Sequence, residues 1–186
     1  MLLALPLVLF VLVVFLWPVA RFLALSVDNS DLSNNLTRTV ASLDAWDPSK
    51  GVPSEGTFVA LVEDLAQARR DGKDGLVGQL INQRIVGTRF LIIKTAKDAD
   101  AGRFDQRPVR EAVLAAQPGW IDVNLWRNIA LQHSAYTDYY LLASLDLQRA
   151  PDGTIVKAPA DKAIFVEVLW RTVWISFVVT LICAVV

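Results

Sequence analysis

Apolar residues run unbroken at both ends of this chain and recur with helical spacing in between. The first run, Met1 to Ala20, reads MLLALPLVLFVLVVFLWPVA and holds no ionisable side chain. About 20 apolar residues are what a helix needs to cross a hydrocarbon core roughly 30 Å thick. Residues 1–25 are therefore expected to form a first transmembrane helix, with Trp17 as an interfacial aromatic and Arg21 just beyond it. A signal peptide is the rival reading. It fits less well, because no Lys or Arg precedes the run, and the run exceeds the usual apolar core of about 7–15 residues. The last fifteen residues, TVWISFVVTLICAVV, are also uncharged. At about 1.5 Å per residue they cover roughly 22 Å, about one turn short of a comfortable span. Extending backward meets Arg171 and Glu167, which suit an interface but not a bilayer centre. Residues 164–186 thus read as the start of a second transmembrane helix, truncated, and the sequence as a fragment of a longer membrane protein.

The stretch between, residues 26–163, reads as a mostly helical domain. SVDNSDLSNNL (Ser26 to Leu36) is an exit loop rich in Ser, Asn and Asp. Asn34 or Asn35 is expected to cap a helix carrying Leu36, Val40 and Leu43 at i, i+4, i+7. After a turn-rich break at Asp47 to Gly56, Phe58, Leu61, Val62 and Leu65 mark one helical face, with Glu63, Asp64, Arg69 and Arg70 off it. Gly72 and Gly75 suit a stop. Leu76 to Ile85 and Phe90 to Ala99 read as two further helices about Gly87, although FLIIK also passes for a short strand. Pro108 is placed to open a helix through Ala116, and Asp122 or Asn124 to start one through Leu131. Tyr136 to Ala143 suits another helix turn or two. Then the period drops to two: Leu145 and Leu147 alternate with Asp146 and Gln148, and APDG before TIVK predicts a β-hairpin with Gly153 at positive φ. Asp161 is expected to cap the long helix that runs into the second apolar segment.

Charge sharpens this partition. All 18 Lys and Arg and all 19 Asp and Glu fall between Arg21 and Arg171, giving a net charge of −1. A balance this even argues against a nucleic-acid surface. The central stretch has no cysteine, so no disulfide framework supports it, and it suits either redox compartment. It is long enough to bury its own core.

Candidate chemistry is sparse. His133, the single histidine, sits near Ser134 and Asp138, but sequence neighbours rarely supply the geometry of a catalytic triad. One His and one Cys cannot build a zinc site, and Cys183 lies in the apolar tail. GKDG at Gly72 to Gly75 fails as a phosphate loop, since Gln67 stands where a Gly is needed and Asp74 where a Ser or Thr is needed. Asn35 to Thr37 fits the glycosylation triplet without other support. Trp17, Trp170 and Trp174 read as membrane anchors, and Trp46, Trp120 and Trp126 as core. EDLAQARRDGKD reads as a solvated face. No catalytic, metal or cofactor-binding residue is nominated, and the chain is not expected to be an enzyme or to carry a cofactor.

FLWPVARFLALSVDN (Phe15 to Asn29), YTDYYLLASLDLQR (Tyr136 to Arg149) and LWRTVWISFVVTLICAVV (Leu169 to Val186) resemble bacterial ABC-transporter permeases of the spermidine/putrescine importer type. In that family an aromatic-Pro pair and Arg end the first helix. An R-T-x-x-x-S-x-x-x-T pattern, here Arg171, Thr172, Ser176 and Thr180, opens the permease core. The resemblance implies a membrane-spanning permease subunit of a binding-protein-dependent importer for polyamines or a related small solute. It implies as partners the lipid bilayer, an ATPase subunit, a second permease subunit and a periplasmic solute-binding protein, with no nucleic acid. Its location would be the bacterial inner (plasma) membrane with the central domain periplasmic, a large insertion before the second helix. The family's Glu-Ala-Ala-x-x-x-Gly coupling loop is not in this chain. A two-helix transmembrane sensor with an extracytoplasmic input domain has the same layout and is the alternative.

Overall fold

A computed structural model of the chain describes residues 5–106, 108–132, 134, 136–150 and 153–185. It is mainly helical, 71%, with one small two-stranded antiparallel sheet. The chain divides into two compact units. One is Asn29–Tyr136; in the other, the chain up to Asp28 joins the chain from Thr137 onward. Residues 137–163, counted above with the polar domain, thus cluster with the apolar ends.

In the first of these units, α3 (Ser30–Asn35) and α4 (Thr37–Leu43) lead through a 3₁₀ turn, Pro48–Lys50, to α5 (Glu55–Arg70). Then come α6 (Asp74–Arg84), α7 (Thr88–Asp100), α8 (Val109–Ala116), a second 3₁₀ turn, Pro118–Ile121, and α9 (Val123–Ala130). FLIIK is helical, inside α7. The core forms around α5, which packs on α4, α7 and α8. Phe58, Leu61 and Leu65 on α5 are fully buried, as are Leu36, Val77, Ile92 and Val113. Trp120 and Trp126 are sealed at the centre, Trp126 edge-on to Phe58 with ring centroids 4.9 Å apart. Each indole N–H has a partner, as a buried indole requires. Trp120 Nε1 donates to Thr95 Oγ1 at 2.9 Å, and Trp126 Nε1 to the Trp120 carbonyl at 2.8 Å. Trp46 is only half-buried, at the core's edge.

Gly72 alone performs the stop after α5. At φ 70° it closes a Schellman turn, with Gly72 N–H donating to the Arg69 carbonyl and Lys73 N–H to the Ala68 carbonyl. Gly75, expected to share that task, lies inside α6.

Helix starts depart most from expectation. Neither Asn34 nor Asn35 caps α4; the N-cap is Leu36, which has no acceptor. Asp64 on α5 supplies one instead, accepting from Thr39 N and Thr39 Oγ1, both at 2.8 Å. Asp64 is 7% exposed, so the expected solvated face is interrupted there, and again at the buried Asp74, which Arg69 holds at 2.7 Å. Pro108 precedes α8 and also lacks a side-chain acceptor. Glu55 supplies both of its oxygens, to Val109 N at 2.6 Å and Arg110 N at 2.9 Å. α9 is capped from its own N-cap residue, Asp122 accepting from Asn124 N at 2.8 Å.

The other unit holds α1 (Leu5–Val11), a π-helical turn (Leu12–Leu16), α2 (Trp17–Val27), α10 (Tyr139–Ser144), β1 (Leu147–Arg149), β2 (Ile155–Lys157) and α11 (Phe165–Val185). The π turn falls just before Pro18, whose ring crowds the carbonyl four residues back and offers no N–H; the widened turn accommodates both. The hairpin forms as predicted, with Gln148 opposite Val156 and Gly153 at φ 86°. Pro151 and Asp152 of its turn lie outside the described residues.

Candidate functional site

Among the described residues, two helices are long and apolar enough to cross a membrane: Leu9–Val27, 19 residues, and Phe165–Ala184, 20 residues. None of their residues is buried inside the protein. Phe22 is 72% exposed and Trp170 70%, values ordinary for Lys or Glu and costly for rings of this size in water.

The polar atoms on α11 are arranged to need little from outside. Thr172 Oγ1 donates to the Val168 carbonyl at 2.8 Å, and Thr180 Oγ1 to the Ser176 carbonyl at 2.7 Å. Hydroxyls that return their proton to the preceding turn can sit in hydrocarbon. Arg171 Nη2 pairs with Glu167 Oε1 at 3.1 Å, the i, i+4 pair expected from spacing. All four charged or hydroxyl groups named in the R-T-x-x-x-S-x-x-x-T pattern therefore lie on one continuous helix.

The base of α11 is fixed by a carboxylate that the sequence reading placed elsewhere. Asp161 does not cap this helix, which begins at Phe165, preceded by the acceptor-free Ile164. Asp146 does. Its Oδ1 accepts from Phe165 N at 2.9 Å and its Oδ2 from Val166 N at 3.0 Å. Its own carbonyl accepts from Ala158 N at 2.8 Å, after β2. Asp146 is buried and sits at φ 56°, a left-handed conformation that Asp tolerates better than most residues. The hairpin is thereby clamped to the first turn of α11. Arg149 on β1 pairs with Asp138 before α10, which raises the Arg149 pKa through that hydrogen bond and its charge. Thr137 N–H donates to the Val27 carbonyl at 2.8 Å, joining the end of α2 to the chain that enters α10.

Among the described residues the candidates for chemistry are not brought together. His133 lies outside the described residues. Asp138, its suggested acidic neighbour, is taken by Arg149, and the Ser134 carbonyl accepts from Asn29 Nδ2 at 3.0 Å. Among the described residues no group of three or more His, Cys, Asp or Glu is placed to hold a metal ion. Asp64 carries a raised pKa. Burial is the larger cause, opposed by the two Thr39 hydrogen bonds and by Arg38, and the group serves a helix end rather than a cleft. Comparison with family models, with curated proteins and with solved structures finds no match to this chain.

Proposed function

We propose that the chain is part of a membrane-spanning permease subunit of a binding-protein-dependent ABC importer for polyamines or a related small solute. The observation that carries the membrane part is the pair of bare apolar helices, Leu9–Val27 and Phe165–Ala184, standing before and after a compact polar unit. The importer part is supported by the sequence motifs at Phe15 to Asn29 and Leu169 to Val186. In this reading the helices belong to the translocation path in the bacterial inner membrane. The compact unit lies on the periplasmic side and receives the solute-binding protein. ATP hydrolysis belongs to a partner subunit, and this chain carries no chemistry of its own. The sensor alternative shares the layout, but the longest helix of the compact unit, α5, has 16 residues and sits in a globular core, not in an extended input bundle.

The test has two readouts. Protease added to intact spheroplasts should cleave within residues 29–136, and deletion of the gene should lower energised uptake of labelled putrescine or spermidine. A protected unit refutes the periplasmic location, and unchanged uptake of both solutes refutes the polyamine importer.

A further inference from the structure

On the compact unit, the end of α4, the loop through Pro53 and the first turns of α5 and α8 enclose a recess of about 340 Å³. That is the lower end of the size range of small-molecule sites, roughly 300–1,000 Å³. One wall is the ring of Trp46. Its Nε1 donates to the Gly51 carbonyl at 3.0 Å, so the indole is fixed and offers an apolar face. Pro53 and Thr57, both buried, lie beneath.

Charge is distributed unevenly around this space. Arg110 on α8 is half-buried and lines it, yet its guanidinium has neither an ion pair nor a hydrogen bond among the described residues. Glu55, whose carboxylate lies at the Arg110 backbone, has both oxygens committed to the N–H groups of Val109 and Arg110. Asp47, also in the lining, is committed as well: it accepts from Ser49 Oγ at 2.7 Å and Ser49 N at 2.9 Å. Those bonds hold its pKa below the ordinary carboxylate value, with a smaller contribution from Lys50. The charged residues of the lining are thus Lys50, Arg110 and Asp47, with Glu55 at the backbone of Arg110, and the guanidinium is without a bonding partner among the described residues.

We propose that this recess binds a small organic carboxylate with a flat apolar body, the carboxylate on Arg110 and the body against Trp46. A planar guanidinium matches a carboxylate through two parallel hydrogen bonds, and the indole face covers apolar surface that water would otherwise hold. A polyamine would meet the unpaired Arg110 guanidinium here, so the proposed site is distinct from any path for an imported polycation and stands whether or not the chain is a permease.

The probe is phenylacetate, titrated by calorimetry into the full chain in detergent or lipid nanodiscs. Saturable binding of one phenylacetate per chain is expected. Phenethylammonium, the same body with the opposite charge, should show none, and acetate should bind more weakly than phenylacetate. Arg110→Gln should weaken phenylacetate by about tenfold or more, the loss of a charge-assisted pair. Trp46→Leu should remove the preference for phenylacetate over acetate, and Lys50→Gln should have the smallest effect. Near-UV circular dichroism of the buried Trp120 and Trp126 identifies variants that remain folded. The proposal is overturned by an absence of saturable phenylacetate binding at millimolar concentration, by equal binding of phenethylammonium, or by undiminished affinity in folded Arg110→Gln.

Discussion

Asp64→Ala removes the acceptor on which the start of α4 depends. Thr39 is fully buried, and both its backbone N–H and its hydroxyl donate to Asp64 Oδ2 at 2.8 Å. Loss of a helix cap costs about 1 kcal/mol, and a buried donor left without a partner about 1–3 kcal/mol. Together they predict about 2–4 kcal/mol of lost stability. Asp64→Asn keeps an amide oxygen in nearly the same place and removes a charge that burial disfavours, so it should stay within about 1 kcal/mol of the parent. Adding Thr39→Val to Asp64→Ala deletes one stranded donor and should recover part of the loss.

The pH dependence fixes the sign of the electrostatic part. Burial raises the Asp64 pKa above its ordinary 3.8, so the folded state holds this proton to higher pH than the unfolded chain does. Between 3.8 and the raised value the folded protein binds more protons, and stability falls as pH rises through that window. Asp64→Asn has no such step. Its stability relative to the parent should therefore increase on going from about pH 4 to pH 7. Urea unfolding of the full chain in detergent, followed by the near-UV signal of Trp120 and Trp126, measures both effects. The reasoning fails if Asp64→Ala costs less than about 0.5 kcal/mol, if Asp64→Asn is equally damaging, or if the pH trend runs the other way.

Three further outcomes follow from the same geometry. Asp146→Ala frees the N–H groups of Phe165 and Val166 and should cost about 1 kcal/mol, seen as faster amide exchange confined to the first turn of α11; Asp146→Asn, which tolerates φ 56° but keeps one acceptor of the two, should release one of these amides and show a smaller effect. Glu55→Ala should cost about 1–2 kcal/mol by uncapping α8, with Glu55→Gln, which keeps one acceptor of the two, intermediate between it and the parent in thermal unfolding. Gly72→Ala should destabilise by about 1 kcal/mol because of its φ of 70°, whereas Gly75→Ala, helical with open space around it, should stabilise by about 0.5–1 kcal/mol, both read as shifts in melting temperature.

Local pattern carried most of the helices. Leu36, Val40 and Leu43 recur at helical spacing and are all buried, as are Phe58, Leu61 and Leu65. Asp122 caps its own helix, and the hairpin was readable from Pro-Asp-Gly between two β-prone runs. Asp64, Glu55 and Asp146 were not readable as caps, for one physical reason. A cap rule looks for an acceptor just before the helix, and Leu36, Pro108 and Ile164 have none to offer. The acceptors come from 25, 54 and 19 residues away to Thr39, Val109 and Phe165. Such a residue has the composition of a surface charge and the environment of a core group, and only tertiary structure separates the two. The recess beside Trp46 was hidden likewise: Arg110 and Trp46 share no local motif, and what marks the arginine is the commitment of nearby carboxylates to other donors.

The bare helices pose a different question, which is what covers them. At about 100° per residue, Val173, Trp174, Ile175, Phe177, Val179, Leu181 and Ile182 spread over roughly 240° of the circumference of α11. All are more than half exposed. Each such side chain forgoes about 1.5–3 kcal/mol if left in water, so these seven together represent on the order of 10 kcal/mol. A single packed helix covers one side of another, along a stripe. That would account for the narrow arc of Thr172, Ser176 and Thr180 but not for the broad apolar remainder. Hydrocarbon wets every face at once and makes no demand that the Thr172 and Thr180 hydroxyls, already bonded to their own helix, cannot meet. A bilayer, the environment proposed for this helix, would accommodate the arc and the remainder together. Free solubility of the full chain without detergent would require a protein cover wrapping most of α11, and would refute the proposal that lipid surrounds this helix.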